Sequence, residues 1–290
     1  MPSTAPGPTG RGDPATTRTT TVDGRRLAYA EYGSTDGTPL VFCHGTPGSR
    51  LLAGLFDGAA RERGLRLLAP DRPGFGRSAP WPDRTADDGR VVAAVLDDAG
   101  VDRAGVVAFS GGAPHALAAA AAHPERVSRV DLVAGATPPD LAPSPPAVQR
   151  LLGWLATRTP LVLRGLLRGQ TWLAARFDPS LVVSQYADDP DAVADAVAET
   201  VRDDFVEAFV ETRRGAVAEF RDAARAWPFS LDAVDAATVL WHGDADTNVP
   251  IAGARRLETR LPNADLRVRD GADHLGTLLG CGPDALAAHA

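Results

Sequence analysis

Apolar positions along the chain fall into two kinds of run. Pro39-Leu40-Val41-Phe42-Cys43, Leu65 to Ala69, Val106-Val107-Ala108-Phe109, Val130 to Ala134 and Ala237-Thr238-Val239-Leu240-Trp241 are short and nearly unbroken, as in strands buried on both faces. Between the first four, apolar residues recur at helical spacing over Ser49 to Arg63, Thr85 to Ala99 and Ala113 to Ala122. Thr85 is placed as an N-cap and Gly100 as a stop. Upstream, Thr19 to Val22 and Arg25 to Tyr32 alternate partially around Asp23-Gly24, the pattern of an antiparallel hairpin with a tight turn. Strand and helix then alternate, which predicts an α/β fold with a parallel sheet and right-handed crossovers.

The alternation breaks after the strand at 130–134. From Pro138 to Leu231 only helical segments are predicted: Pro146 to Thr157, Pro160 to Phe177, Pro179 to Ala187, Asp191 to Asp203 and Phe205 to Trp227, punctuated by prolines and Asp-Pro pairs. The sheet resumes at Ala237, a last strand covers Leu266 to Val268, and Asp284 to Ala290 reads as a short terminal helix with His289 exposed. The expected organisation is a disordered tail over 1–17, an α/β core over 18–137 and 232–290, and an all-helical insertion over 138–231.

Composition narrows the function classes. With 290 residues, 44% hydrophobic and 23% charged, the bulk of the chain has the makings of a packed core. The formal net charge of −7 argues against a nucleic-acid binder, which needs a basic face. Two cysteines, Cys43 and Cys281, make neither a disulfide framework nor a metal cluster. The first residues lack the apolar core of a secretory signal, and no stretch approaches the roughly 18 apolar residues of a membrane span. A cytoplasmic monomer or homodimer that acts on a small molecule, away from membranes and without metal or organic cofactor, is expected.

The candidate chemistry sits in loops that follow predicted strands. Val106 to Phe109 runs into Ser110-Gly111-Gly112 and then directly into a helix of small residues. Such a strand-to-helix turn strains the backbone at its apex and needs small neighbours, here Ala108 and Gly112. It lifts the Ser110 hydroxyl off the sheet beside a helix N-terminus. Three other loops carry polar groups: His44-Gly45-Thr46-Pro47-Gly48-Ser49, His242-Gly243-Asp244-Ala245-Asp246-Thr247-Asn248-Val249-Pro250, and Asp270-Gly271-Ala272-Asp273-His274-Leu275. Asp71 to Ser78 is a glycine-rich loop in which Asp71 and Arg72 are placed to pair locally.

Together these strings resemble the α/β-hydrolase family in its serine-nucleophile, capped branch of esterases and proline iminopeptidases. The first is similar to the nucleophile elbow, with Ala108 where the commonest pattern has glycine. The resemblance implies an eight-stranded, mostly parallel sheet and a triad in the order Ser110, Asp246, His274, distinct from the chymotrypsin and subtilisin orders. It also implies an oxyanion hole from the backbone N–H groups of Thr46 and Gly111, Pro47 having none to donate. His44 is assigned a structural role in its loop. Asp244 is the rival to Asp246, and Asp273, where relatives have glycine, is a second carboxylate able to partner the imidazole. The inserted helices resemble the cap over such active sites, so His115, Trp154 and Trp172, with Leu151, Leu173 and Phe177, are candidates for the substrate pocket. The plainer alternative makes His115 a hydrogen-bonded core residue and the others the packed faces of helices.

The implied activity is that of a carboxylesterase-like serine hydrolase: cleavage of an ester, amide or lactone of a small, largely apolar substrate through an acyl-enzyme on Ser110. Relatives that open epoxides or remove halide carry Asp at that position, and iminopeptidases need cap acids for an α-amino group, for which Asp188, Asp189 and Asp191 are the candidates. A non-hydrolytic acyltransferase, lyase or cyclase on the same scaffold, or a ligand-binding pseudoenzyme, stays open.

Overall fold

The structure is a computed structural model and describes residues 16–81, 89–142 and 145–290. Among these, eight strands form one sheet: β1 (Thr16–Val22), β2 (Arg25–Gly33), β3 (Thr38–Cys43), β4 (Leu65–Pro70), β5 (Ala104–Phe109), β6 (Val127–Val133), β7 (Ala237–Gly243) and β8 (Ala264–Arg269), in spatial order β1-β2-β4-β3-β5-β6-β7-β8. β1 and β2 pair antiparallel through a turn in which Asp23 and Gly24 both have positive φ (48° and 73°). That is the backbone twist two-residue hairpins favour, and Gly24 adopts it without cost. β2 joins β4 antiparallel, and every later pairing is parallel. The far edge, β8, carries Asp265, Arg267 and Arg269 at largely exposed positions, which discourages pairing with another chain.

Strand order reverses between β3 and β5, because the chain leaves β3 for β4 on one side and then crosses to β5 on the other. The loops after β3 and β5 therefore meet at the switch point, where ligands bind in open α/β sheets. Helices α1 (Asp57–Glu62), α2 (Arg90–Ala99), α3 (Ala113–Ala122), α4 (Ala147–Arg158), α5 (Pro160–Ala174), α6 (Ser180–Val183), α7 (Asp195–Glu207), α8 (Arg214–Asp222), α9 (Ile251–Glu258) and α10 (His274–Ala287) complete the described fold. Helices α4 to α8 lie between β6 and β7 in the chain.

Several boundaries differ from the sequence expectation. The expected tail at 1–17 falls mostly on residues outside those described, but Thr16 and Thr17 belong to β1. Thr85, the expected N-cap, also lies outside the described residues; the helix there is seen from Arg90 and ends at Gly100. The segment after Ser49 starts as a 3-10 helix over Arg50–Phe56 before α1. The insertion's last long helix is split: Phe205 sits inside α7, whose end is fixed because the Ala208 carbonyl accepts a hydrogen bond from Gly76 N–H (3.1 Å). The C-terminal helix starts ten residues earlier than expected, at His274, with Asp273 as a cap accepting from Gly276 N–H (2.6 Å). Glycines and Pro283 in that stretch hide it from propensity.

His289 is not exposed. Its side chain is 4% accessible and Nε2–H donates to Oδ2 of Asp131 on β6 (3.0 Å). The fully buried Asp131 also accepts from Trp241 Nε1–H (2.8 Å) and pairs with Arg129. Burial acts against this charge, but the bonds from His289, Arg129 and Trp241 outweigh it and hold the carboxyl below its ordinary range.

The insertion is anchored to the core by buried carboxylates. Asp204 of α7 accepts from Ser49 N–H (2.7 Å), Ser49 Oγ–H (2.7 Å) and Leu52 N–H (3.1 Å). Arg50 is 2% exposed and spans Asp71 (2.8 Å) and Glu207 of α7 (2.7 Å). Burial raises the Asp204 carboxyl to about 7 against the hydrogen bonds from Ser49.

Two predictions follow from these contacts. The native state holds the Asp204 proton up to about pH 7 while the unfolded chain releases it near pH 4. The stability this confers is full below pH 4 and lost as pH rises to about 7, on the order of 4 kcal/mol at the limit. Asp204→Asn keeps an acceptor for Ser49 and Leu52 without ionising. The urea-unfolding free energy of the wild type should therefore fall relative to this variant across pH 4 to 7, and parallel profiles would refute the assignment. His289→Ala should cost about 1.5–3 kcal/mol in the same assay at neutral pH, the worth of a hydrogen bond to a charged group.

Candidate active site

Three loops at the carboxyl edge of the sheet converge. After β5 the chain turns at Ser110, which has φ 50°, a left-handed conformation that costs a non-glycine residue about 1–2 kcal/mol. Small neighbours make the turn possible. A side chain on Gly112 would lie 2.5 Å from the Cys43 carbonyl oxygen, and one on Gly111 would collide with the Thr46 side chain. The strained serine presents its hydroxyl to His274: Ser110 Oγ–H donates to Nε2 at 2.9 Å.

His274 is 2% exposed and opens α10, directly after the Asp273 cap. Its Nδ1–H donates to Asp246 Oδ2 at 2.7 Å, and this bond sets the tautomer that leaves Nε2 an acceptor toward Ser110. Asp246 is itself held by Asn248 N–H and Val249 N–H, both 2.9 Å from Oδ1. His242 stands 3.7 Å from Asp246 and donates from Nε2 to the Val249 carbonyl (2.7 Å), closing the loop on itself. Burial lowers the His242 imidazole below its ordinary range, which keeps it neutral beside the acid. The imidazole of His274 lies between the rings of Phe109 (4.8 Å) and Tyr186 (6.3 Å), and Leu275 N–H donates to the Tyr186 carbonyl (2.9 Å).

The two other carboxylates brought forward by the sequence are occupied elsewhere. Asp244 accepts from Gly271 N–H (2.6 Å) and ties the two loops together. Asp273 caps α10 and accepts from Asp188 N–H (2.8 Å). Neither bonds the imidazole.

The backbones of Thr46 and Gly111 are adjacent: an ideal Cβ on Gly111 would stand 3.2 Å from Thr46 N. Beside them a narrow cavity opens onto Ser110 and Thr46. Leu52, Phe109, Val201, Phe205, Leu275 and Leu278 form its apolar walls, and Tyr186 and Asp204 add polar groups. The insertion supplies Tyr186, Val201, Asp204 and Phe205, so it shapes this cavity, but through other residues than expected. Trp154 is 57% and Trp172 51% exposed, and Leu151, Leu173 and Phe177 also face outward. Alternation within a helix shows an apolar face without saying which neighbour it meets. His115 does not line this cavity either; it is buried and its Nε2–H donates to Glu219 Oε1 (3.2 Å). Asp188, Asp189 and Asp191 are all exposed. Of the cavity groups that sequence reasoning missed, only Phe109 and Leu275, next to Ser110 and His274, had a local signal.

Behind the Thr46 loop lies a second polar cluster. Arg72 is fully buried and does not pair with Asp71; it pairs with Glu219 of α8 (Nη2 to Oε2 2.8 Å, Nε to Oε1 3.1 Å). Burial acts against the Glu219 charge, but Arg72 and the hydrogen bond from His115 bring its carboxyl down to about 2. Burial and the Arg72 charge push His44 well below its ordinary range, so its imidazole is neutral. Arg72 N–H donates to His44 Nε2 (3.1 Å), and His44 Nδ1–H donates to the Gly45 carbonyl (2.8 Å). Among the described residues no group of three or more His, Cys, Asp or Glu is placed to hold a metal ion, and no helix is long and apolar enough to cross a membrane.

Residues 38–280 match the family model for the alpha/beta hydrolase fold. A 2-hydroxy-6-oxononadienedioate/2-hydroxy-6-oxononatrienedioate hydrolase of Burkholderia vietnamiensis is 30% identical over 260 residues, covering 86% of this chain and 84% of that protein. A non-heme haloperoxidase of Rhodococcus erythropolis is 29% identical, covering 88% and 91%. Among solved structures, the enol-lactonase from Burkholderia xenovorans superposes with a TM-score of 0.69 at 19% identity, covering 93% of this chain and 97% of that one. With its sheet order, its strained serine turn and this match over most of its length, the chain belongs to the α/β-hydrolase fold family.

Proposed function

We propose that the protein is a serine hydrolase that cleaves an ester or lactone of a small, uncharged and largely apolar substrate. The observation that carries this reading is the hydrogen-bonded chain from Asp246 through His274 to Ser110, opening on an apolar cavity beside Thr46. In this reading Ser110 Oγ attacks the carbonyl carbon while its proton passes to His274 Nε2, and Asp246 stabilises the imidazolium that forms. Thr46 N–H and Gly111 N–H receive the oxyanion, at about 3 kcal/mol per donor in comparable sites. His274 returns the proton to the leaving alkoxide, and the acyl group stays on Ser110. A water molecule that gives its proton to His274 then releases the acid.

The cavity walls favour an uncharged substrate. Its lining contains Asp204 and no Arg or Lys. A dicarboxylate such as the dienedioate in the name of the Burkholderia vietnamiensis relative would meet no cation there and one carboxyl group. Asp188, Asp189 and Asp191 are exposed and none of them lines the cavity, which also favours an ester over a peptide.

The purified protein should react with a fluorophosphonate probe and hydrolyse short-chain p-nitrophenyl esters, and Ser110→Ala should abolish both. Labelling without turnover would favour a transfer reaction over hydrolysis, and neither would leave a binding role. Asp246→Asn should lower kcat by about 10⁴-fold through loss of the productive imidazole tautomer. Asp244→Asn and Asp273→Asn, whose partners are backbone N–H groups of loops, should stay within about tenfold of wild type; a fall as large as that of Asp246→Asn would move the triad acid.

A further inference from the structure

We infer that Arg72, held by Glu219 of the insertion, is a positioning residue that aims the Thr46 N–H, so that the oxyanion site is set up by a charge pair between the inserted helices and the loop after β3. The inference rests on the assignment of Thr46 N–H as an oxyanion donor.

One guanidinium grips three successive residues of that loop. Arg72 Nη1 donates to the His44 carbonyl; Nη2 donates to the Gly45 carbonyl (3.2 Å) and to Thr46 Oγ1 (2.8 Å). The Gly45 carbonyl and the Thr46 N–H belong to one planar peptide, in which C=O and N–H point in opposite directions. Drawing the carbonyl toward Arg72 therefore turns the N–H away from it, toward the cavity that Ser110 lines. His44 Nδ1–H adds a second donor to the same carbonyl (2.8 Å).

Arg72 is in turn fixed by α8. Glu219 accepts from its Nε and Nη2, and the Thr46 hydroxyl donates to Glu219 Oε2. The Thr46 side chain is thus clamped between the two charges, and the backbone donor it carries has little freedom to rotate. His115, whose Nε2–H bonds Glu219 Oε1 (3.2 Å), holds the carboxylate from the far side. With the paired charges 147 positions apart in sequence, the pair forms only when the insertion is docked. Catalytic readiness and docking of the insertion are then one event.

The test compares wild type, Ser110→Ala, Glu219→Gln, Thr46→Val and Thr46→Ser on p-nitrophenyl butyrate, with inhibition by a trifluoromethyl ketone, which forms a tetrahedral oxyanion on serine. Removing an oxyanion donor outright costs about 10²- to 10³-fold. A donor left in place but loosened should cost less, roughly 10- to 100-fold in kcat for Glu219→Gln and Thr46→Val. KM should stay within about twofold, the ketone should weaken by the same factor as kcat, and Thr46→Ser, which restores the hydroxyl, should recover most of the loss. Values of kcat near wild type in both variants, or a loss carried by KM alone, overturn the clamp. If Glu219→Gln does not fold, Thr46→Val, which exchanges only the hydroxyl for a methyl group, decides alone. A wild type no faster than Ser110→Ala would instead overturn the acyl-transfer reading, and the clamp with it.

Discussion

The orientation of one imidazole governs the carboxyl edge of this sheet. His274 can bond Asp246 and Ser110 at once only if β5, β7 and the start of α10 hold their register, because the two bonds leave opposite sides of a rigid ring. The parallel pairing of β5, β6 and β7 fixes the separation of two of those loops. The Asp273 cap fixes the third by starting α10 at the histidine. Packing between Phe109 and Tyr186 then removes the remaining freedom of the ring.

A second layer of order lies behind the first. The loops after β3 and β4 contain buried ionisable groups, Arg50, Asp71 and Arg72, of which Arg50 and Asp71 pair with each other within the core. The two arginines find acids outside the core, Arg50 at Glu207 of α7 and Arg72 at Glu219 of α8. Exposing any one of these charges to an apolar interior without its partner would cost several kcal/mol, so the insertion and the core specify each other's position. Apolar packing supplies the bulk of the contact, and the charges fix its register.

The fold was largely legible because its signals are local. Unbroken apolar runs, loop residues immediately after them and the Asp23-Gly24 turn each act within a few positions. The same locality exposed Ser110, Asp246 and His274 as polar residues at strand ends. The cavity was not legible, since Trp154 and Trp172 carry the same helical periodicity as Val201 and Phe205, and only tertiary packing decides which face turns inward. Sequence proximity points Arg72 to its chain neighbour Asp71, although its partner lies on α8; ion pairing follows three-dimensional distance, and nothing near Arg72 in sequence points to Glu219. The burial of His289 escapes the sequence for the same reason, since its partner Asp131 lies on β6, 158 positions away.

The Glu219 contact bears on how such proteins exchange parts. A helical insertion between two strands looks like a removable module, free to be traded among relatives to change what the cavity accepts. Here the module carries half of a buried ion pair. A graft lacking an acid at the place of Glu219 would strand Arg72 in the interior and loosen the loop beside Ser110, whatever the new cavity held. Recombination at this junction is therefore constrained to donors that bring the acid along, or to recipients that have first lost the arginine.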